Sequence, residues 1–507
     1  MVSRARYDRE AAMSCPTIRK QPASLPVEPN LVDYDAERAR FCWADARADL
    51  DGLPDGAGLN IGHEAVDRHV ATPRGDHPAI RWLGADGSVR ELTFGQLREE
   101  TNRFANLLDR LEIRAGERVA TLLGHSPALT IAALGTWKHR AVLSPLSVAC
   151  EPGSVRRRLT FGDARVVVTT RQQYERTIVG HREQLPGLHH VLIVDGRDDV
   201  PAGTIDLDTW MAAASPHRVV QPTDAEYPAF VHVVEDRHGR LKGVVHVHEA
   251  IVSQVATARF ALDLHRDDVL WCSAEPGSVT HLAYGVIAPL ALGAISVVDE
   301  APDEGAGWCS RMAEQGVSVW FTTPEAIRAV LASGDPPCGD RDLSALRFVA
   351  SGERPLAAGD LERWDRAFGW PIHEMWSQPQ TGAIVLANLA ASDVRPGSVG
   401  RPLPGFEVAI VRRVGTAEHR GVQEIADRDT EGELAVRAGW PSMFRLYLNA
   451  ASDTRRSTVD GWYLTGVQAR RDRDGYLWLS DPDPAPDPDR NPNRPAERRQ
   501  AAAARGD

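Results

Sequence analysis

Short apolar runs alternate with helical patterns along most of this chain, and that rhythm limits what it can fold into. Gly116–Leu123 (GERVATLL), Ala164–Thr170 (ARVVVTT) and His190–Val194 (HVLIV) read as buried strands. Ser126–Trp137 reads as a helix, and Thr93–Leu111 sets Leu97, Phe104, Leu107 and Leu108 on one helical face. A second series follows, with strands at Asp268–Ser273, Ala294–Val298 and Val317–Thr322 and a helix at Pro324–Ala332. Strands and helices alternating at this pace build parallel sheets with helices on both faces. Upstream, Ala36–Leu50 and Ala65–Val70 are helical in pattern, and Ala79–Trp82 pairs with Arg90–Phe94 around Ala85-Asp86-Gly87. Beyond Gly397, short strands separated by Gly and Pro (Phe406–Arg412, Gly432–Arg437, Tyr476–Leu479) suit a small β-rich unit. An α/β fold is expected.

The ends read differently. Residues 1–30 are polar, with Pro16, Pro22, Pro26 and Pro29, and are expected to form a flexible arm; 481–507 (DPDPAPDPDRNPNRPAERRQAAAARGD) has no core-forming residues and reads as a disordered tail. The body, 31–480, divides roughly into 31–225, 226–395 and 396–480. A net charge of −12 without a basic block argues against nucleic acid as a partner. No apolar run approaches the ~18–20 residues of a membrane span, and the N-terminus lacks a secretory core, so a cytoplasmic protein with no membrane partner is expected. The 6 cysteines are scattered, which reads as reduced thiols and no zinc site. His232, His238, His246 and His248 crowd together, but His246-Val-His248 alternates as a strand face does, which favours packing over metal binding.

The crowded stretch, Val231–Ala250 (VHVVEDRHGRLKGVVHVHEA), reads as strand, glycine-bearing loop, strand. A loop holding Gly239, Arg240, Lys242 and Gly243 can lay backbone N–H groups and an ammonium against phosphate; the plain alternative is a surface hairpin that carries a lysine. Further blocks follow: DDVLWCSAEPGSVTHLAYGVIAPLALGAISVVDE (Asp267–Glu300), LRFVASGERPL (Leu346–Leu356), HEMWSQPQTG (His373–Gly382), RPGSVGRPLPGFEVAIV (Arg395–Val411) and GWYLTGVQARRDRDGYLW (Gly461–Trp478). In this order and spacing they resemble the AMP-forming acyl-CoA synthetases, specifically the acetyl-CoA synthetase branch of the adenylate-forming superfamily. The resemblance runs from roughly Leu31 to Trp478.

The resemblance implies a large domain of two αβα-layered, parallel-rich sheets with a small β-barrel-like subdomain. The family's mobile C-terminal domain, and its catalytic lysine, have no counterpart in this sequence. ATP, Mg2+ and CoA are the implied cofactors, and a small carboxylic acid the implied substrate. The residues at the implied positions depart from the family. In the phosphate loop Gly239, Lys242 and Gly243 match, but the hydroxyl donors are lost and Glu235 and Asp236 stand where the resemblance places triphosphate oxygens. A carboxylate ~4 Å from a phosphate charge costs about 4 kcal/mol at an effective dielectric near 20. In the magnesium and adenine block Trp376 and Thr381 match and Gln378 takes a polar position, but Gln380 replaces the metal-bearing glutamate and Pro379 a hydroxyl. Gln380 is at best a weak metal ligand, since an amide brings no charge to a hard cation. Val467 replaces the aspartate that holds ribose. Glu353, Arg354 and Pro355 occupy the adenine-side block, with Arg354 in the place of its glutamate.

For the acyl pocket, the resemblance assigns Val279, Thr280, Gly352 and Ser377; Ser377 replaces a tryptophan and Gly352 a valine, so either a larger acid enters or the void repacks. Scaffold turns such as Arg395-Pro396-Gly397 and Asp474-Gly475-Tyr476 keep the family pattern. Three readings follow. The leading one is an acetyl-CoA-synthetase-like protein with lost or impaired ligase activity. The second is a divergent active enzyme that activates a carboxylate larger than acetate, alone or with a separate C-terminal domain. The third is a non-catalytic protein that works through a protein partner.

Overall fold

The computed structural model describes residues 16–21, 25–196, 199–236, 238–300, 305–334, 336–354, 356–415 and 420–480. The tail 481–507, residues 1–15, Arg237 and Pro355 lie outside that set. Among the described residues the strands form three sheets.

One sheet has 8 strands. At its centre Arg118–Leu122, Ala164–Thr170 and His190–Val194 run parallel, joined through Val142–Pro145 to the parallel strand Pro228–Glu235. The unbroken apolar runs have a direct cause. Val166 and Val168 face the helices Phe94–Arg110 and Pro127–His139, while Val167 faces the helix Pro152–Phe161 on the other side. Both faces are covered, so successive residues are all apolar. Helix Phe94–Arg110 starts where a capping box fixes it, with Thr93 and Gln96 each accepting the other's backbone N–H.

The second sheet has 9 strands, with Val269–Cys272, Ile295–Asp299, Val319–Thr322, Phe348–Ser351 and Ile372–Trp376 parallel at its heart. The two sheets exchange segments of chain. Pro78–Leu83 from the first third lies beside Ile295–Asp299, and the hairpin Pro228–Glu235/Leu241–Val247 belongs to the 8-stranded sheet. The third, 6-stranded sheet is antiparallel and is built from Val408–Gly415 onward, as the Gly- and Pro-punctuated sequence requires.

Two expectations need correction. Residues 16–21 are not a loose arm: Ile18 pairs with Val394, and Lys20 Nζ donates to the carbonyls of Leu389 (2.9 Å) and Ala390 (3.0 Å) beside His373. Burial lowers the Lys20 pKa to about 7, against the pull of the Asp263 and Asp393 carboxylates. The cysteines are not all reduced. Cys309, in helix Gly305–Gln315, is disulfide-bonded to Cys338, with Cα atoms 5.3 Å apart. Helix Pro324–Leu331 folds back beside Gly305–Gln315 and brings the two together, which sequence spacing does not reveal. Cys42, Cys150 and Cys272 are free thiols. Among the described residues no helix is long and apolar enough to cross a membrane, and no group of three or more His, Cys, Asp or Glu is placed to hold a metal.

Candidate functional site

The glycine-bearing loop is the turn of an antiparallel hairpin, in register Val234↔Lys242 and Glu235↔Leu241. Asp236 closes it. Its Oδ1 accepts the backbone N–H of His238 (2.9 Å) and of Arg240 (3.0 Å), and Oδ2 accepts Arg240 Nε (2.9 Å). Its backbone exchanges bonds with Gly239 and Arg240, and Gly239 supplies the positive φ of +76° that the turn demands. Desolvation opposes ionisation of Asp236, but the two N–H donors and the Arg240 guanidinium outweigh it and hold the pKa below the carboxylate norm. The donors that a phosphate would use are therefore taken by a carboxylate of the same loop. Glu235 adds a second one, 3.8 Å from Arg157 and 3.6 Å from Arg158.

Lys242 Nζ lies 3.0 Å from the Asp453 carboxylate and 5.0 Å from the ring centroid of Tyr447. Gln380 reaches the same tyrosine, its Nε2 donating to the hydroxyl at 3.2 Å. Lys242 and Gln380 thus converge, but on Tyr447. Gly243 has a packing role: a Cβ there would come within 2.8 Å of Leu448 Cβ, on the neighbouring strand Leu446–Leu448.

Strand Ile372–Trp376 delivers the next group. Trp376 is buried against Leu386. Gln378 is held at both ends, donating to the Thr465 carbonyl (3.0 Å) and accepting the Tyr463 hydroxyl (3.0 Å). Thr381, fully buried, bonds through Oγ1 to the carbonyls of Gln378 (2.9 Å) and Ala383 (2.8 Å), while its own carbonyl accepts Trp440 Nε1 and Ser442 Oγ. It acts as a latch for this turn. His246 completes the seam, with its ring stacked on Phe230 and its nitrogens 3.0 Å from the Ser442 carbonyl and 2.8 Å from that of Pro379. Burial lowers its pKa to about 4 against the pull of those carbonyls. Val467 is half-buried and packs against the core beside Thr465 and Gly466. It offers no acceptor.

The remaining residues lie in segments that follow strands of the 9-stranded sheet. Val279 and Thr280 are buried in the short helix Val279–His281, which Ser278 caps by accepting His281 N–H at 3.0 Å. A Cβ on Gly352 would stand 3.0 Å from the Phe321 ring, so the volume opened at Gly352 is occupied by that phenylalanine. Ser377 is half-buried and makes no side-chain bond among the described residues. Glu353 adopts a φ of +68°; desolvation raises its pKa against the Ser278 hydroxyl, which favours the ionised form. The Arg354 guanidinium points to Glu325, at 3.5 Å.

A magnesium triphosphate does not fit this set. The loop donors are capped, the lysine is paired, the amide of Gln380 is turned to a tyrosine and Val467 cannot accept a hydroxyl. The residues that do the capping come from afar: Asp453 and Tyr447 approach along strand Leu446–Leu448 and helix Ala451–Ser457, and Arg157 from helix Pro152–Phe161. No local sequence signal marks them. Asp236 alone carries a local signal, as an Asp three residues before Gly239.

The fold and these residues define an adenylate-forming large domain. The sequence profile of the AMP-binding enzymes matches residues 66–448, and the chain belongs to that family. Within it, the chain is 34% identical over 453 residues to the acetyl-coenzyme A synthetase of Bacillus subtilis (strain 168), covering 89% of this chain and 77% of the relative. It is 32% identical over 456 residues to the acetyl-coenzyme A synthetase of Methanothrix thermoacetophila, covering 84% and 67%. Among solved structures it is similar to an acyl-CoA synthetase of Brucella canis, with a TM-score of 0.79, 29% identity and coverage of 89% and 79%.

Proposed function

We propose that this protein is an acetyl-CoA-synthetase-like member of the AMP-binding family whose nucleotide site no longer supports acid–CoA ligase chemistry. The observation that carries the reading is the Asp236 cap: one carboxylate oxygen takes both the His238 and the Arg240 N–H groups. Electrostatic stabilisation is the largest catalytic contribution in most enzymes, and here the loop presents fixed negative charge where that stabilisation would act on phosphate. The pairing of Lys242 with Asp453 and the replacement of a metal carboxylate by Gln380 support the same conclusion. Phe321 beside Gly352 weighs against the alternative of an enlarged acyl pocket.

The test is thioester formation by the full chain, with ATP, Mg2+, CoA and acetate, propionate, longer and aromatic acids, followed by chromatography beside an intact acetyl-CoA synthetase. No acyl-CoA above background is expected. Acid-dependent acyl-CoA would overturn the proposal and favour the divergent enzyme.

A further inference from the structure

The parallel strands Arg118–Leu122, Ala164–Thr170 and His190–Val194 end, at their N-terminal edge, in a cavity of about 600 Å³. The Asp236–Arg240 turn follows the C-terminal end of the parallel strand Pro228–Glu235, so the cavity lies at the opposite edge of the sheet. Its size falls within the ~300–1,000 Å³ of small-molecule sites.

Its lining is basic in a chain of net charge −12. Arg110, Arg114 and Arg165 face two carboxylates, Glu112 and Glu117. Glu117 is already engaged: one oxygen accepts the Arg114 backbone N–H at 2.8 Å and the other lies 3.5 Å from Arg165 Nε. The exposed Arg114 guanidinium makes no bond among the described residues. Arg165 meets Glu117 and Asp163 at 3.5 and 3.6 Å and donates from Nη1 to the Gly187 carbonyl at 3.3 Å, all longer than a charge-assisted hydrogen bond. Arg110 stacks over Trp210, its guanidinium carbon 4.7 Å from the ring centroid. A guanidinium laid on an indole is a platform for a further flat ring, and paired guanidinium groups match a phosphate.

We infer that this cavity binds a small phosphate ester carrying a planar ring, of the nucleoside monophosphate class. The ring stacks at Arg110 and Trp210, and the phosphate is held by Arg114 and Arg165. This assignment is independent of the nucleotide site at the other edge of the sheet.

The test uses the full chain, with AMP and inorganic phosphate as separate titrants in calorimetry. Photolabelling with 8-azido-AMP and peptide mapping locate the ligand. The expected results are AMP binding at least tenfold tighter than phosphate, weakened at least tenfold by R110Q/R114Q, with label on the peptides holding Arg110 or Trp210. Arg110 and Arg114 are exposed, so the double variant is expected to melt as the wild type does. A second variant, Trp210→Leu, should weaken AMP but not phosphate. Label found only on the 374–382 or 463–467 peptides, equal affinity for phosphate and AMP, unchanged AMP binding in R110Q/R114Q, or no AMP binding at millimolar concentration would each overturn the inference.

Discussion

Removing the Asp236 carboxylate should make the hairpin turn less stable and more receptive to anions. Three bonds are lost in Asp236→Ala: the two backbone N–H contacts at 2.9 and 3.0 Å and the Arg240 Nε contact at 2.9 Å. At the low end for a solvent-facing turn, about 0.5 kcal/mol each, the loss is about 1.5 kcal/mol. The anion balance moves the other way. A carboxylate ~4 Å from a phosphate charge costs about 4 kcal/mol at an effective dielectric near 20. Solvent at the turn screens about half of that, leaving about 2 kcal/mol, more than tenfold in affinity. Asp236→Asn separates the two effects, because its amide oxygen still caps the N–H groups while the charge is gone. Calorimetric titration with MgATP should therefore show binding strengthened at least tenfold in D236N, and the melting temperature should fall in D236A but hardly in D236N. If both variants leave MgATP binding unchanged or weaken it, the carboxylate is not what excludes the triphosphate and the reasoning fails.

Gly352→Val should destabilise the protein by about 1–3 kcal/mol in denaturant titration, because its Cβ meets the Phe321 ring at 3.0 Å; Phe321→Ala in the same chain should recover part of that loss, and simple additivity would contradict the packing account. Reduction of Cys309–Cys338, which closes a segment with a sequence separation of 29, should lower stability by about 3–4 kcal/mol, read as a drop in melting temperature with reductant that Cys309→Ser abolishes. Burial lowers the His232 pKa to about 3, so the folded chain binds fewer protons than the unfolded one between that value and the ordinary 6.5. Its neutral form therefore contributes full stability above pH 6.5, and that contribution falls by up to about 1.4 kcal/mol per pH unit on acidification below it. His232→Phe should flatten the stability profile from pH 6.5 to 4.5; an unchanged slope would exclude the histidine as its source.

The sequence disclosed the elements whose cause is local. Ala164–Thr170 and His190–Val194 are strands at those bounds because a two-sided apolar run has little alternative in this fold. The hairpin around Gly239 was equally plain, since a glycine at positive φ between two apolar runs leaves few other shapes. What stayed hidden depends on contacts between distant segments. Lys242 looked like a phosphate ligand because nothing near it in the chain announces Asp453 or Tyr447. The void expected at Gly352 could not be judged without Phe321, which lies a strand away in the sheet. The docking of Lys20 and the pairing of Cys309 with Cys338 were missed for the same reason: each partner is fixed by tertiary packing, and neither residue's neighbours carry its mark. The exchange of strands between the two large sheets likewise follows from which apolar edge needs cover, not from chain order.

The most direct measurement is acid-dependent ATP–pyrophosphate exchange by the purified full chain with Mg2+, because it reads adenylate formation without the later transfer to CoA. No exchange is expected with acetate, propionate, longer or aromatic acids, while an intact acetyl-CoA synthetase exchanges under the same conditions. Exchange that depends on any one acid would show the Asp236-capped loop to be a working phosphate site and the protein to be an active adenylate-forming enzyme.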